Sequence, residues 1–471
     1  VNLILLALPF LIVIFIVFTN VSWQQLVKGA LFLIILDGAL RKWILPQASN
    51  LMYLLKDFVL ILAYIKYYLL SPKQHSLLKN NYTYTIHTLL ALSTIWLVFQ
   101  SFHPDLGSPI IGFFGLTRYL LYVPLMWMLP YLFNSEEELY KFLRNYLLCL
   151  IPVCLLGIAQ FSSPPTSPLN VAPGGEEASA SLGFGEGKLR ISSVFAFPNI
   201  YTSYLVLNFG FLVTYITNPD KKYQIWKLII FLELLLMVAN FFMTGSRAVL
   251  GYSVFILVFY LFIKSFDNFS TTIKFLKKMA IPAVLGVVVL SHYFAPALEA
   301  FSSRGSVIDA AKGDNRIAYA LSIHTLPGKF FLDSYGTGAT QSARQTFQRL
   351  FRLPKGKLPP PAEAETHKIN IEIGIIGFTF WYGMRLALLM ATWSLYRQLT
   401  RPFLKDLALV AFLIHVLWFT GQVVVHPLAV VYYWFLNGFI FLLPRLEAIE
   451  NYRQQQRMML AYEQEAYSNS I

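Results

Sequence analysis

The chain has 471 residues, 56% of them hydrophobic and 13% charged, with a formal net charge of +13. So little polar material cannot cover a water-soluble fold of this size, which excludes an ordinary soluble enzyme or binding domain. Apolar runs of roughly 17 to 25 residues, the length that crosses a bilayer as helix, recur along the chain instead, and the expected fold is an all-α polytopic membrane protein with about 12–13 transmembrane helices and one large exported loop.

In chain order the runs fall near 1–18, 26–40, 50–70, 84–100, 112–132, 139–160, 196–216, 224–243, 248–265, 279–298, 371–395, 403–422 and 427–444. They divide the chain into an N-terminal helix bundle (1–300), a polar loop (301–370), C-terminal helices (371–445) and a tail (446–471). The first run has neither a basic leader nor a small-residue cleavage site and reads as a retained helix. Lys56 and Asp57 sit about two turns into the third run. Ionisable groups at that depth are expensive and face a bundle interior or a wet cavity, so the two are either a satisfied packing pair or part of a site. Arg118, in FFGLTRYLL of the fifth run, either snorkels to the headgroups or takes a functional part. Cys149 and Cys154 share the sixth run and read as packed thiols rather than a disulfide or metal site.

A Pro-, Gly- and Ser-rich loop ends at Arg190 and leads into ISSVFAFPN, where Pro198 suits the first turn of a helix. GFGEG within that loop is not a dinucleotide motif, for want of a preceding strand. The eighth and ninth runs meet at MTGSRAVLG: Gly245 permits a tight turn, Ser246 can cap the next helix, and Arg247 projects near its N-terminus. Backbone amides with a guanidinium beside them form an anion-binding corner; the same residues also fit a plain hairpin with a snorkelling arginine. Lys and Arg in the short loops concentrate on one face, with Lys28, Lys141, Lys227, Lys264, Arg397 and Arg445 among them, which makes that face and the tail cytoplasmic. The loop 301–370, long enough to cross regardless of its charge, belongs to the opposite side. It contains NRIAYALSIHTLPG with Arg316, then SYGTGATQS, and finally ETHKINIEIGIIG with Glu365, His367 and Asn370. Its basic segment RQTFQRLFRLPKGK interleaves cations with apolar residues and reads as an amphipathic helix on the membrane surface. His415, inside an apolar run, reads as a hydrogen-bonded packing residue.

Arg190 before VFAFPN, the TGSR turn with Arg247, the Arg316 segment followed by SYGTG, and His367 ahead of EIGIIG occur in this order on one expected face. In these features the chain resembles the O-antigen ligase and O-antigen polymerase superfamily, over roughly Leu189 to Gly383. The resemblance implies a bacterial inner-membrane glycosyltransferase whose large loop and active site face the periplasm. It implies no cofactor and no metal, a glycan donor linked to undecaprenyl diphosphate, and a glycan or lipid A core sugar as acceptor. In such an enzyme Arg190, Arg247 and Arg316 would clamp the leaving diphosphate, because arginine stays charged and binds phosphate through paired hydrogen bonds. His367, with a reference pKa near 6.5, would take the acceptor proton, giving inversion at the anomeric carbon. Arg118, Glu365, Asn370 and Lys56 are the supporting candidates, Glu365 as competing base or orienting partner. Lys368 departs from the small or amide residue that many relatives carry nearby, a role open to Asn370. Membrane lipids are expected partners and nucleic acid is not. The rival class is a transporter of a small anion such as bicarbonate, with Lys56 and Asp57 lining its path.

Overall fold

The structure is a computed structural model that describes residues 21–70, 82–174, 183–185, 188–220, 223–267, 334–341 and 344–468, with positions 269, 270, 273, 276, 277 and 288. It is an all-α, multi-pass membrane protein. Among the described residues nine helices are long and apolar enough to cross a membrane, or ten if a bent pair at the C-terminal end counts as one span. Two expected spans, 1–18 and 279–298, lie outside the described residues except for Val288. The expected span at 84–100 forms a helix, Thr83–Gln100, but its threonines, His87 and Gln100 dilute it and it is not among the nine.

The contacts divide the chain into two units. The first comprises 1–74, 145–326 and 420–430. Its helices are α1 (Trp23–Ala39), α2 (Ser49–Ile65), α3 (Leu150–Ser162), α4 (Pro198–Thr217), α5 (Ile225–Met243) and α6 (Arg247–Asp267). Ser22 caps α1 with a reciprocal capping box to Gln25. Pro198 occupies the first turn of α4, as its fixed φ and missing N–H favour. Polar contacts fix the crossing of α3 and α5: Asn240 donates to Cys154 O at 3.2 Å and accepts from Tyr201 OH at 2.8 Å. Gly157 leaves room there, since a Cβ would come within 2.1 Å of Asn240 Oδ1. Both cysteines are free thiols, Cys154 buried beneath Tyr201 OH. The strands β1 (Gly183–Gly185) and β2 (Lys188–Leu189) form a short antiparallel ribbon before Arg190.

The second unit comprises 75–144, 327–419 and 431–471. It holds α7 (Thr83–Gln100), α8 (Pro109–Leu120), a short helix α9 (Arg344–Leu350), α10 (Glu365–Gln398) and α11 (Pro402–Thr420). The C-terminal helix Phe439–Ser468 ends the unit with an exposed tail from about Asn451 onward. His415 is the packing residue expected, its Nδ1 2.6 Å from Ala411 O and its ring against Tyr433.

α10 is not one rod. Gly374 has φ 65° and ψ −178°, a conformation essentially confined to glycine. Glu365 Oε1 nevertheless accepts from Arg385 Nη1 at 3.0 Å. In an unbroken α-helix these residues would stand about 30 Å apart. The chain therefore doubles back at Gly374, with a short arm at 365–373 folded against a long arm at 375–398 that has the length to span. The long arm runs alongside α7, where Gly377 meets the Trp96 indole and Gly383 meets Leu89.

Candidate functional site

In the first unit two of the sequence-picked arginines, Arg190 and Arg247, lie at one turn. The C-terminal end of α5 leaves backbone carbonyls without helical partners, and Arg190 Nε donates to one of them, Thr244 O, at 2.9 Å. Gly245 (φ 62°) reverses the chain, Ser246 N donates to Thr244 Oγ1 at 3.3 Å, and exposed Arg247 opens α6. The segment behind Arg190 is locked in place. Buried Ser193 holds a left-handed φ of 48°, uncommon for a side chain with a Cβ. Its N–H donates to Gln160 Oε1 at 2.7 Å, its carbonyl accepts from Gln160 Nε2 at 3.2 Å and from Lys42 Nζ at 3.1 Å, and its hydroxyl donates to Val153 O at 2.6 Å. Lys42 also donates to Ser192 Oγ at 2.7 Å. Arg190 thus reaches the end of α5, one turn before Arg247 opens α6, and Lys42 holds the segment that follows Arg190.

Lys56 belongs to an acid-base group of this unit with Asp57, Asp37 and Arg41. Its Nζ lies 3.4 Å from Asp57 Oδ1, donates to Tyr53 O at 2.9 Å, and stands 4.3 Å over the Tyr53 ring. With Asp37, itself paired to Arg41 at 3.5 Å, it lines a small cleft under Phe195 and Pro427 that has room for about one water. His426, just outside the spans, faces Ser203 Oγ at 3.2 Å and Asn199 O at 3.3 Å and accepts from Ala429 N at 3.1 Å. Burial pushes its pKa down to about 4. Arg316 lies outside the described residues.

In the second unit the picked residues fall on the short arm of α10 and the end of α8. The helix begins at Glu365 rather than near Ile371, so Glu365, His367 and Asn370 belong to the arm and not to a loop. Glu365 is buried against Arg385, whose other nitrogen Nη2 donates to Trp418 O at 2.5 Å and whose guanidinium lies 5.0 Å from the Tyr382 ring and 5.4 Å from that of Tyr433. His367 is 1% exposed. Asn370 Oδ1 is buried without a protein hydrogen bond. Arg118, buried in the last turn of α8, donates from Nε to Thr117 Oγ1 at 3.4 Å and lies 5.3 Å over Phe114.

Glu372 is the residue the sequence reading passed over. Its carboxylate accepts from Tyr119 OH at 2.8 Å, Thr340 N at 2.9 Å and Thr340 Oγ1 at 2.7 Å. It thereby staples the SYGTGAT segment to the arm, helped by Tyr335 N donating to Ile371 O at 2.9 Å. The segment also binds the end of α7, with Ser334 Oγ donating to Gln100 Oε1 at 2.5 Å and Thr337 Oγ1 to Leu97 O at 3.0 Å. Gly338 (φ 89°) fits here because a Cβ would stand 2.8 Å from Ile111 O. An ionisable side chain in an apolar run was the available signal for Glu372, as it was for Arg385. The basic segment differs from expectation too: its helix is only Arg344–Leu350, and Arg344 points inward to Ala339 O, Asp105 O and Leu106 O rather than to lipid.

No protein-family model matches the chain, and no curated protein matches it.

Proposed function

We propose that this protein is a metal-independent, inverting glycosyltransferase of the O-antigen ligase or polymerase type, working on the periplasmic face of a bacterial inner membrane. The observation that carries the reading is the 2.9 Å bond from Arg190 to Thr244 O, which joins two separately chosen sequence signals, the ISSVFAFPN entry and the TGSR turn. Undecaprenyl diphosphate leaves as the glycan moves, and its growing charge falls to Arg190 and Arg247, with Arg316 as the third clamp. Guanidinium groups do this well because their fork matches phosphate oxygens and no titration removes their charge.

His367 takes the proton of the acceptor hydroxyl as that oxygen bonds to the anomeric carbon and the carbon to diphosphate bond breaks on the opposite side. Glu365 is committed to Arg385, so in this reading it orients the arm and does not compete as base. Arg118, Asn370 and Lys56 are the further residues assigned to substrate contact. The acceptor is a second lipid-linked glycan or a lipid A core sugar.

The transporter reading draws on the intramembrane Lys56, Asp57 and Asp37. Against it, Lys56 is paired to Asp57 and Asp37 to Arg41, and the cleft that Lys56 and Asp37 line has room for about one water, smaller than a bicarbonate ion.

Surface glycan analysis tests the proposal in a bacterial strain carrying only this protein. Wild type should restore long glycan, and His367→Ala and Arg247→Ala, at matched membrane abundance, should lose it and accumulate lipid-linked precursor. Unchanged glycan in both variants would end the catalytic assignment.

A further inference from the structure

The stretch from Arg344 to Leu358 is fastened along one edge and open along the other. Arg344 is buried on the carbonyls of Ala339 and Asp105. Leu353 packs against the buried cluster of Leu106, Ile111 and Ala339. Lys357 meets Asp105 at 3.4 Å, and Gly356 lies so close to the 103–107 turn that a Cβ would stand 2.2 Å from Asp105 O. Between and beyond these fastenings Arg349, Phe351, Arg352, Lys355 and Leu358 are exposed, Phe351 by 58% and Leu358 by 76%.

Arg352 is the telling residue. It follows the end of the short helix α9 with φ 51°, a left-handed position that glycine or asparagine occupies at less cost. Leu353 N closes the turn on Gln348 O at 2.9 Å, so the chain sends Leu353 inward and turns Arg352 to the surface. Strain carried by an exposed cation that contributes nothing to the apolar cluster points to a use outside the fold.

The position of the strip indicates what that use is. The 103–107 turn joins the end of α7 to the start of α8, and on either side of it Phe102, Ile110 and Phe113 are exposed. In a membrane protein such apolar side chains face acyl chains, so a strip fastened to the turn lies at headgroup level. No acidic residue occurs between Arg344 and Ala362.

We propose that this strip binds anionic phospholipid headgroups of the surrounding leaflet. Arg349, Arg352 and Lys355 meet the phosphates, and Phe351 and Leu358 enter the acyl boundary, the mixture of cations and apolar residues that holds a segment in a membrane interface. The inference stands on the second unit alone and does not depend on the glycosyltransferase reading.

The test uses the full chain reconstituted in phosphatidylcholine bilayers, with spin-labelled phosphatidylglycerol and phosphatidylcholine compared for the fraction immobilised by the protein. Wild type should retain phosphatidylglycerol preferentially. R349Q/R352Q/K355Q should weaken that preference, by about five-fold for each cation lost at low salt. Arg352→Gly should weaken it while leaving the unfolding midpoint unchanged or raised, because glycine relieves the left-handed strain. That divergence separates a lipid contact from a structural role. Equal preference in wild type and the triple variant would overturn the proposal, as would an Arg352→Gly protein with a lowered midpoint and full lipid preference. Displacement of the labelled lipid by millimolar inorganic phosphate would also overturn it, by identifying a site for soluble phosphate.

Discussion

Replacing Gly374 with alanine probes the reversal that brings Glu365 back to Arg385. At φ 65° and ψ −178° a Cβ collides with its own backbone, and holding a non-glycine residue in this region costs about 1–3 kcal/mol. Gly383, farther along the long arm, supplies the control. It is helical, and a Cβ there meets only Leu89 methyls at 3.7 and 3.9 Å, ordinary contact distances. Alanine in a helix interior gains roughly 0.5–1 kcal/mol over glycine, so Gly383→Ala should be neutral or stabilising and the two variants should differ by about 1–4 kcal/mol. Unfolding of the purified protein by titrating denaturing detergent into mild micelles, followed by tryptophan fluorescence, measures the difference. Gly374→Ala should also depress function, since the arm it displaces carries His367. If the two variants proved equally stable and Gly374→Ala kept full function, the chain would not reverse at Gly374.

Breaking the buried pair with Arg385→Met leaves Glu365 uncompensated and should cost about 3–5 kcal/mol, whereas Glu365→Gln combined with Arg385→Met should recover most of it; a double-mutant cycle in the same assay reads the coupling. Glu372→Ala removes the acceptor of Tyr119 and Thr340 and should destabilise by about 3 kcal/mol, with proteolysis at the SYGTGAT segment as a second readout. His426 has its pKa lowered to about 4 from the ordinary 6.5, so the unfolded chain binds the proton more readily. Its contribution is complete above about pH 6.5 and falls as pH drops toward 4, by about 3 kcal/mol in all. Stability measured against pH should show a flatter acid limb in His426→Asn than in wild type.

Much of the fold was legible because apolar runs bounded by charged or turn residues have few alternatives. The expected 224–243 became Ile225–Met243, and 196–216 became Pro198–Thr217, opened by the Pro-Asn pair that marked it. The start of α10 was misplaced because Glu365, His367 and Lys368 look like loop residues when polarity is equated with water. They are helical because Glu365 finds Arg385, a partner visible only once Gly374 has turned the chain. The basic segment was misread in its extent for a related reason: alternating cations and apolar residues suggested one amphipathic helix, but the helix stops at Leu350, Arg344 is spent on carbonyls of the 103–107 turn, and Pro354 follows closely. Of the site, residue types were readable and their partners were not. Arg190 and Arg247 could be chosen as cations near turns, yet Arg190 reaches the turn before Arg247 through the Thr244 backbone carbonyl, which no side-chain pattern reveals.

The most direct measurement is glycan transfer by the purified protein in proteoliposomes, supplied with undecaprenyl-diphosphate-linked glycan and, in parallel, with added lipid A core acceptor, without divalent metal. The account predicts lengthened or transferred glycan with stoichiometric release of undecaprenyl diphosphate and an inverted anomeric linkage, abolished in His367→Ala and strongly reduced in Arg190→Ala and Arg247→Ala. Intact donor under both acceptor conditions, or turnover by His367→Ala equal to wild type, would contradict it.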